Sequence, residues 1–491
     1  MNRVPDMRPA LSPLAAAALA ALLSGCSLIP AYERPAAPVA ADFPQTMAGQ
    51  PVAPAAGQAA PASQPWQDFL VDERLRRLVA AALDNNRDLR VSVLNIEQAR
   101  AQYQIRRADQ FPSVGVAASA TRAPSLINGK EANTFQAGLA VTSWELDFFG
   151  RLQSLKEQAL AQYLATEEGR KAAQMSLVAA VANGWLNLLA DEELLDISRR
   201  TLVTREDSVK LTKLRLDNGV SSELDYRQAV SLTETARATL AAQIRQRALD
   251  ENALVLLLGQ PVPQDIRSTL AGARLADTPA MPVLPAGLPS DLLVNRPDIR
   301  QSEQLLIGAN ANIGAARAAF FPRISLTAQA GSASNELSGL FKDGSWGFSL
   351  APQLLLPIFD AGRNRAGLDS AKVGRDIAVA QYEKTIQTAF REVADALAGQ
   401  TTLGEQLRAQ QAQADAESVR FKLSDLRYRN GVASYLDQLD AQRSLFLAQQ
   451  QVVQTRLAQM QNQVTLYKVL GGGWSEPVAA AGSAAPPSAQ R

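Results

Sequence analysis

Two stretches decide the fold: LRLDNGVSSELDYRQA at 214–229 and LRYRNGVASYLDQLDA at 426–441. Nine of the sixteen aligned positions are identical. In each, a helix-like run stops at Asn-Gly (Asn218-Gly219 and Asn430-Gly431), residues that tolerate the left-handed backbone closing a helix. In each, Ser-x-x-Asp follows (Ser222 to Asp225, Ser434 to Asp437), a variant of the capping box with Asp in the Glu/Gln place. Both stretches are therefore expected to be tight tips of helical hairpins.

The duplication extends outward. Asp88, Arg90, Phe111 and Pro112 recur 210 residues later as Asp298, Arg300, Phe321 and Pro322. Gly150, Arg151, Leu258 and Gly259 recur 212 residues later as Gly362, Arg363, Leu470 and Gly471. Each repeat begins with a helix, expected over 72–110 and 291–319, which ends where Phe-Pro blocks continuation. Very long helices flank the tips, about 151–217 with 221–257 and 363–429 with 433–470. A run of more than 60 residues makes a rod on the order of 100 Å, far more than one globular domain needs. In the last helix Leu439, Phe446, Val453, Met460 and Tyr467 recur every seven residues, the spacing of a left-handed coiled-coil contact.

Between the first helix and the long ones, each repeat has two strand-like stretches. Val114, Val116, Ala118 and Ala120 alternate with other residues, as do Phe135, Ala137, Leu139 and Val141. In the second repeat Ile324, Leu326, Ala328 and Ala330 alternate, then Trp346, Phe348 and Leu350. Period two over about ten residues suits a tilted membrane strand. A soluble hairpin packed on a core has the same alternation. Four strands leave two open edges, and single-chain membrane barrels start at about eight, so a chain that spans a bilayer this way must oligomerise. No mature segment holds the roughly 18 uninterrupted apolar residues of a transmembrane helix.

Composition excludes several classes. The 491 residues include no histidine and one cysteine. Histidine acid/base chemistry, a histidine metal site and an intrachain disulfide are out. With 49 Lys plus Arg against 48 Asp plus Glu, the chain lacks the basic excess of a nucleic-acid binder. No nucleophile–base set or phosphate-binding glycine loop stands out, so no enzyme, cofactor or metal is expected. Residues 1–25 read as a secretory signal, with Arg3 and Arg8 before an apolar run. The signal closes on Leu23-Ser24-Gly25-Cys26, a bacterial lipobox pattern that makes Cys26 the expected lipidation site and new first residue. Ser27, rather than Asp, follows, which in lipoproteins implies sorting to the outer membrane. Residues 26–65 are Pro/Ala-rich and read as an extended tether, 66–259 as the first repeat, 260–290 as a linker, 291–473 as the second repeat, and 474–491 as a disordered tail.

The lipobox, the doubled helix–hairpin–helix–helix unit, the stretch GLPSDLLVNRPDIRQSEQ at 287–304 and the terminal LGGGW at 470–474 together resemble the TolC/OprM type of outer-membrane factor. They are most like its lipid-anchored OprM-like (NodT-type) efflux lipoproteins. The resemblance implies a mixed, mainly α fold and a homotrimer. Long helical hairpins would form an α-barrel in the periplasm, and four strands per protomer a twelve-stranded β-barrel in the outer membrane. It also implies a periplasmic adaptor and an inner-membrane RND pump as partners, docking at the hairpin tips of a Gram-negative cell.

The two tips differ where function is expected. Leu216, Asp217 and Gln228 of the first become Tyr428, Arg429 and Asp440 in the second. Asp440 lies three residues beyond Asp437, so both carboxylates project from one helix face. Repeated around a ring they would make an acidic constriction favouring cations. The resemblance assigns Tyr428, Arg429, Asp437 and Asp440 to the closed mouth. Asp225 and Asp437 are equally read as helix caps, and a solvated charged tip remains an alternative for the set. The leading function is the exit duct of a drug-efflux pump. The alternatives are the duct of a type I protein-secretion system and a lipid-anchored coiled-coil spacer without a pore.

Overall fold

The computed structural model describes residues 27–43, 64–124, 131–284, 292 and 295–474. Cys26, the signal, and the tail beyond Trp474 lie outside them. In chain order the elements are α1 (Trp66–Phe69), α2 (Glu73–Asn85), α3 (Arg87–Ala108), β1 (Val114–Pro124), β2 (Glu131–Leu146), α4 (Arg151–Asp217), α5 (Glu223–Leu258) and α6 (Gln264–Ser268). Then follow α7 (Pro297–Ala318), β3 (Arg323–Ser334), β4 (Trp346–Leu355), α8 (Arg363–Arg429) and α9 (Tyr435–Val469). The chain is mainly helical with one four-stranded sheet, as read from the sequence.

The helix expected over 72–110 is broken. Asn86 ends α2 in extended backbone, and its Oδ1 accepts the amide of Leu89 to cap α3. Its Nδ2 donates to Leu257 O at the end of α5 (2.9 Å). In the second repeat Arg296 takes that place and donates Nη1 to Val469 O (3.2 Å). The buried Arg296 also donates to Asp298 and Glu392, so the RPDI stretch ties the start of α7 to the end of α9 and the middle of α8.

Of the described residues, one compact unit contains 27–36, 95–124, 131–167 and 301–383. Its sheet is antiparallel in the order β1-β2-β3-β4, and β1 and β4 are open edges. Cross-strand partners share a face. Val116 pairs Leu139, Leu139 pairs Ala330, and Ala330 pairs Phe348. Val114, Val141, Ala328 and Leu350 form the adjacent row. One face is thus apolar on all four strands. The other carries Ser119, Gln136, Gln329, Ser349 and Gln353. The apolar face covers no core: Val116 is 85% exposed and Phe348 73%. The alternation in β2 changes parity at a bulge between Val141 and Trp144, where Ser143 takes a φ of 51°. One extra residue keeps Trp144 and Leu146 on the apolar side, opposite Leu326 and Ile324.

In the same unit part of the expected extended tether is bound. Residues 28–34 run along α7. Arg317 donates to Leu28 O, and Asn310 to Pro30 O (2.8 Å). Glu303 accepts from Tyr32 OH (3.0 Å) and from both Arg34 Nε and Nη2 (2.6 Å each).

The other unit contains the described residues of 37–94, 168–300 and 384–474. Its core gathers Phe69, Leu78, Val79, Trp185, Leu186, Leu189, Leu254 and Leu258, all nearly inaccessible. Phe69 stacks on Tyr467 (4.1 Å between centroids). The heptad residues Val453, Met460 and Tyr467 are buried, whereas Leu439 and Phe446 nearer the tip are half-buried. Helix α4 has one stretch apolar enough to cross a membrane, but 61% of it is buried, as in a core helix.

Asp191 is buried on α4 and accepts from Gln243 Nε2 (3.0 Å). Burial, and then the Asp250 carboxylate, push its carboxyl up to about 7. An acid with a raised folded pKa holds its proton more tightly folded than unfolded. Stability is therefore full below the unfolded value and falls as pH rises from about 4 to about 7. Asp191→Asn is expected to flatten that slope in thermal melts across a pH series, and to melt above the parent at alkaline pH.

Candidate functional site

The candidate site lies at the two hairpin tips, which are built alike. At the first, Gly219 (φ 73°) donates its amide to Leu216 O and Val220 donates to Arg215 O. At the second, Gly431 (φ 75°) donates to Tyr428 O and Val432 to Arg427 O. This is the Schellman closure, in which glycine avoids the Cβ penalty of left-handed backbone. The asparagines do not take positive φ. Instead Asn218 Nδ2 donates to Leu214 O and Asn430 Nδ2 to Leu426 O. Both capping boxes form. Ser222 Oγ accepts the Asp225 amide while Asp225 accepts from the Ser222 amide, and Ser434 with Asp437 repeats the exchange. Asp437 is therefore occupied as a cap, although exposed.

Asp440 has a different setting. Arg420, from the incoming arm α8, and Arg443, one turn along α9, both donate to it (3.2 Å for Arg443). The hydrogen bond from Arg420 holds its carboxyl below the usual carboxylate range. The two arginines offset the acidic ring expected from Asp437 and Asp440. Arg429 does not reach Asp440 within the protomer. It pairs with Asp425 on its own helix (2.8 Å).

Tyr428 is 3% exposed and packs with Tyr435 and Ala229, flanked by Val209, Leu211 and Leu439. The rings of Tyr428 and Tyr435 lie 5.6 Å apart at 52°. Burial pushes the Tyr435 phenol up to about 12. This small cluster joins the first hairpin to the second. Arg215 completes the joint. Its Nη2 donates to Tyr428 O (2.9 Å) and Arg429 O (3.3 Å), and its guanidinium stacks 4.3 Å from the Tyr428 ring. A cation from one hairpin thus caps the C-terminal carbonyls of a helix in the other. Sequence reading passed over Arg215 because its counterpart, Arg427, is identical. Arg420 was legible in principle: it and Asp440 lie ten residues either side of Asn430, opposite each other in an antiparallel hairpin.

The tips also expose apolar pairs, Val220 with Leu224 and Val432 with Leu436, each more than 60% accessible. Among the described residues no group of His, Cys, Asp or Glu could hold a metal ion.

The chain matches the family model described as Outer membrane efflux protein twice, over 78–260 and 288–472. It is 48% identical to the solvent efflux pump outer membrane protein SrpC of Pseudomonas putida, over 92% of this chain and 97% of that one. It is 47% identical to the antibiotic efflux pump outer membrane protein ArpC of Pseudomonas putida, over 94% and 96%. The open-state crystal structure of the Neisseria gonorrhoeae MtrE outer membrane channel is similar with a TM-score of 0.80 at 39% identity, over 91% of this chain and 99% of that one.

Proposed function

The chain belongs to the outer membrane efflux protein family, and from that premise we propose that it is the passive, gated exit duct of a tripartite efflux pump. The observation that carries the reading is the sheet, with an apolar face exposed on all four strands and both edges unpaired. Lipid satisfies the face. Neighbouring copies satisfy the edges, since open edges do not occur in the hydrocarbon region. Three protomers give twelve strands in this reading. A coiled-coil spacer has no use for such a sheet. The relatives named for solvent and antibiotic efflux favour small, largely apolar cargo over secreted protein. Cys26 anchors the chain in the outer membrane through lipid.

The gate in this reading is the second tip. Tyr428 and Arg215 join the two hairpins, Asp440 is clamped by Arg420 and Arg443, and Arg429 and Asp437 flank the mouth. The exposed Val220/Leu224 and Val432/Leu436 pairs are where a helical-hairpin adaptor delivering the RND pump would dock. The test is single-channel conductance in a planar bilayer, beside the Asp437→Ala/Asp440→Ala variant. Small parental openings that grow several-fold in the variant are expected. Absence of conductance from folded oligomers of both would sink the duct. An unchanged conductance in the variant would move the latch elsewhere.

A further inference from the structure

The seam between the two hairpins holds a charge that no carboxylate among the described residues pairs with. Arg205 on α4 is 6% exposed. Among the described residues no carboxylate pairs with it, and its Nη1 is buried without an acceptor. Burial pushes its guanidinium down, and the groups on α9 near enough to act on it are Tyr435 and Arg443, the latter repelling it. On its own helix the adjacent acids are engaged elsewhere, Glu206 by Arg237 and Asp207 by Lys210. Ser208 and Thr212, on the same face at i+3 and i+7, donate their hydroxyls to backbone carbonyls one turn back. On α9 Tyr435, Gln438 and Gln442 repeat the i, i+3, i+7 spacing, and all three are buried. Gln438 Oε1, Gln442 Nε2 and the nearby Tyr428 hydroxyl have no hydrogen-bond partner among the described residues. The equivalent of Arg205 in the second repeat, 212 residues on, is Glu417, which pairs with Arg420 (3.1 Å). The unpaired charge therefore belongs to one of the two equivalent positions only.

We propose that this polar seam, centred on Arg205, is a built-in spring that opposes close packing of the two hairpins and relaxes when they part and water reaches the guanidinium. A buried charge without a counter-ion, and buried amides without partners, are penalised where they are dry and relieved once hydrated. Apolar contacts among Tyr428, Tyr435 and Val209, with the Arg215 cap, hold the packed arrangement against it. The seam is thus set near balance, so that a modest external pull suffices to open it. The consequence for gating rests on the duct reading; the energetic claim does not.

The test uses the full-length oligomer carrying Arg205→Met, which keeps the length of the side chain and removes its charge. Amide hydrogen exchange over 201–212 and 435–443 is expected to slow at least ten-fold, and the melting temperature to rise. Openings in a planar bilayer are expected to become at least ten-fold rarer. Faster exchange or a lower melting temperature would overturn the proposal, because Arg205 would then be holding the seam together. Gln442→Leu removes a second unpaired group and is expected to act in the same direction. Unchanged exchange in both variants overturns the proposal as well. Slower exchange in Arg205→Met with no conductance in any variant would leave the spring standing and remove the duct.

Discussion

Phe348→Arg is expected to cost the inserted sheet about 2–4 kcal/mol, the penalty of a cation on the lipid face near the bilayer midplane. Phe348 lies on the apolar face, in one row with Ala330, Leu139 and Val116. No part of the protomer shields it, so in a bilayer the new guanidinium meets hydrocarbon. Ser349, the next residue, points to the opposite face. Ser349→Arg is expected to insert normally and to shift ion selectivity toward anions. Urea titration of folding into phospholipid vesicles reads the first effect, and reversal potentials read the second. Equal penalties at both positions would show that the two faces are not sorted between lipid and lumen.

Gly331→Val is expected to be as damaging, at about 3 kcal/mol, because the obstacle is backbone and has nowhere to move. Gly331 pairs directly with Gly138 across β2 and β3. A Cβ on Gly331 would sit 2.5 Å from Gly138 Cα, and one on Gly138 would sit 2.6 Å from Gly331 Cα. The two strands approach this closely only because neither residue has a side chain. Gly347 continues the same row on β4 but has open space around its Cβ position. Gly347→Val is therefore the control and is expected to insert like the parent. The same vesicle titration measures both. If Gly347→Val fails equally, strand propensity or assembly, not the close approach, explains the loss.

These expectations show which features the sequence made legible. The tips were readable because capping is local chemistry: Asn-Gly and Ser-x-x-Asp act within four residues of themselves. The four strands were readable from period two, and their register then sorts the faces without further information. The break at Asn86 has a local part, the cap on the Leu89 amide, which the helical pattern on either side hid, and a remote part 171 residues away, at Leu257 O. The parity change in β2 left a trace, apolar residues moving from odd positions at Val141 to even ones at Trp144, which a strict alternation rule discards. At the proposed gate, difference between the copies singled out Tyr428 and Asp440. It could not single out Arg215, identical in both copies, whose role comes from the partner helix it meets. Arg205 was invisible for another reason: an arginine in a polar helix reads as solvated until burial is known.

The bound stretch at 28–34 fixes an order of events in folding. Arg34 closes on Glu303, a partner 269 residues downstream, and Leu28 on Arg317, 289 residues downstream. Residues 28–34 thus have no seat until the first repeat and α7 have formed. Contacts of such high sequence separation form late, since the intervening chain must be ordered before they are rewarded. Residues 28–34 therefore act as a seal of completion. A protomer truncated anywhere before α7 leaves its leading segment loose for a protease to find, and only a chain carried through into its second half draws its beginning in.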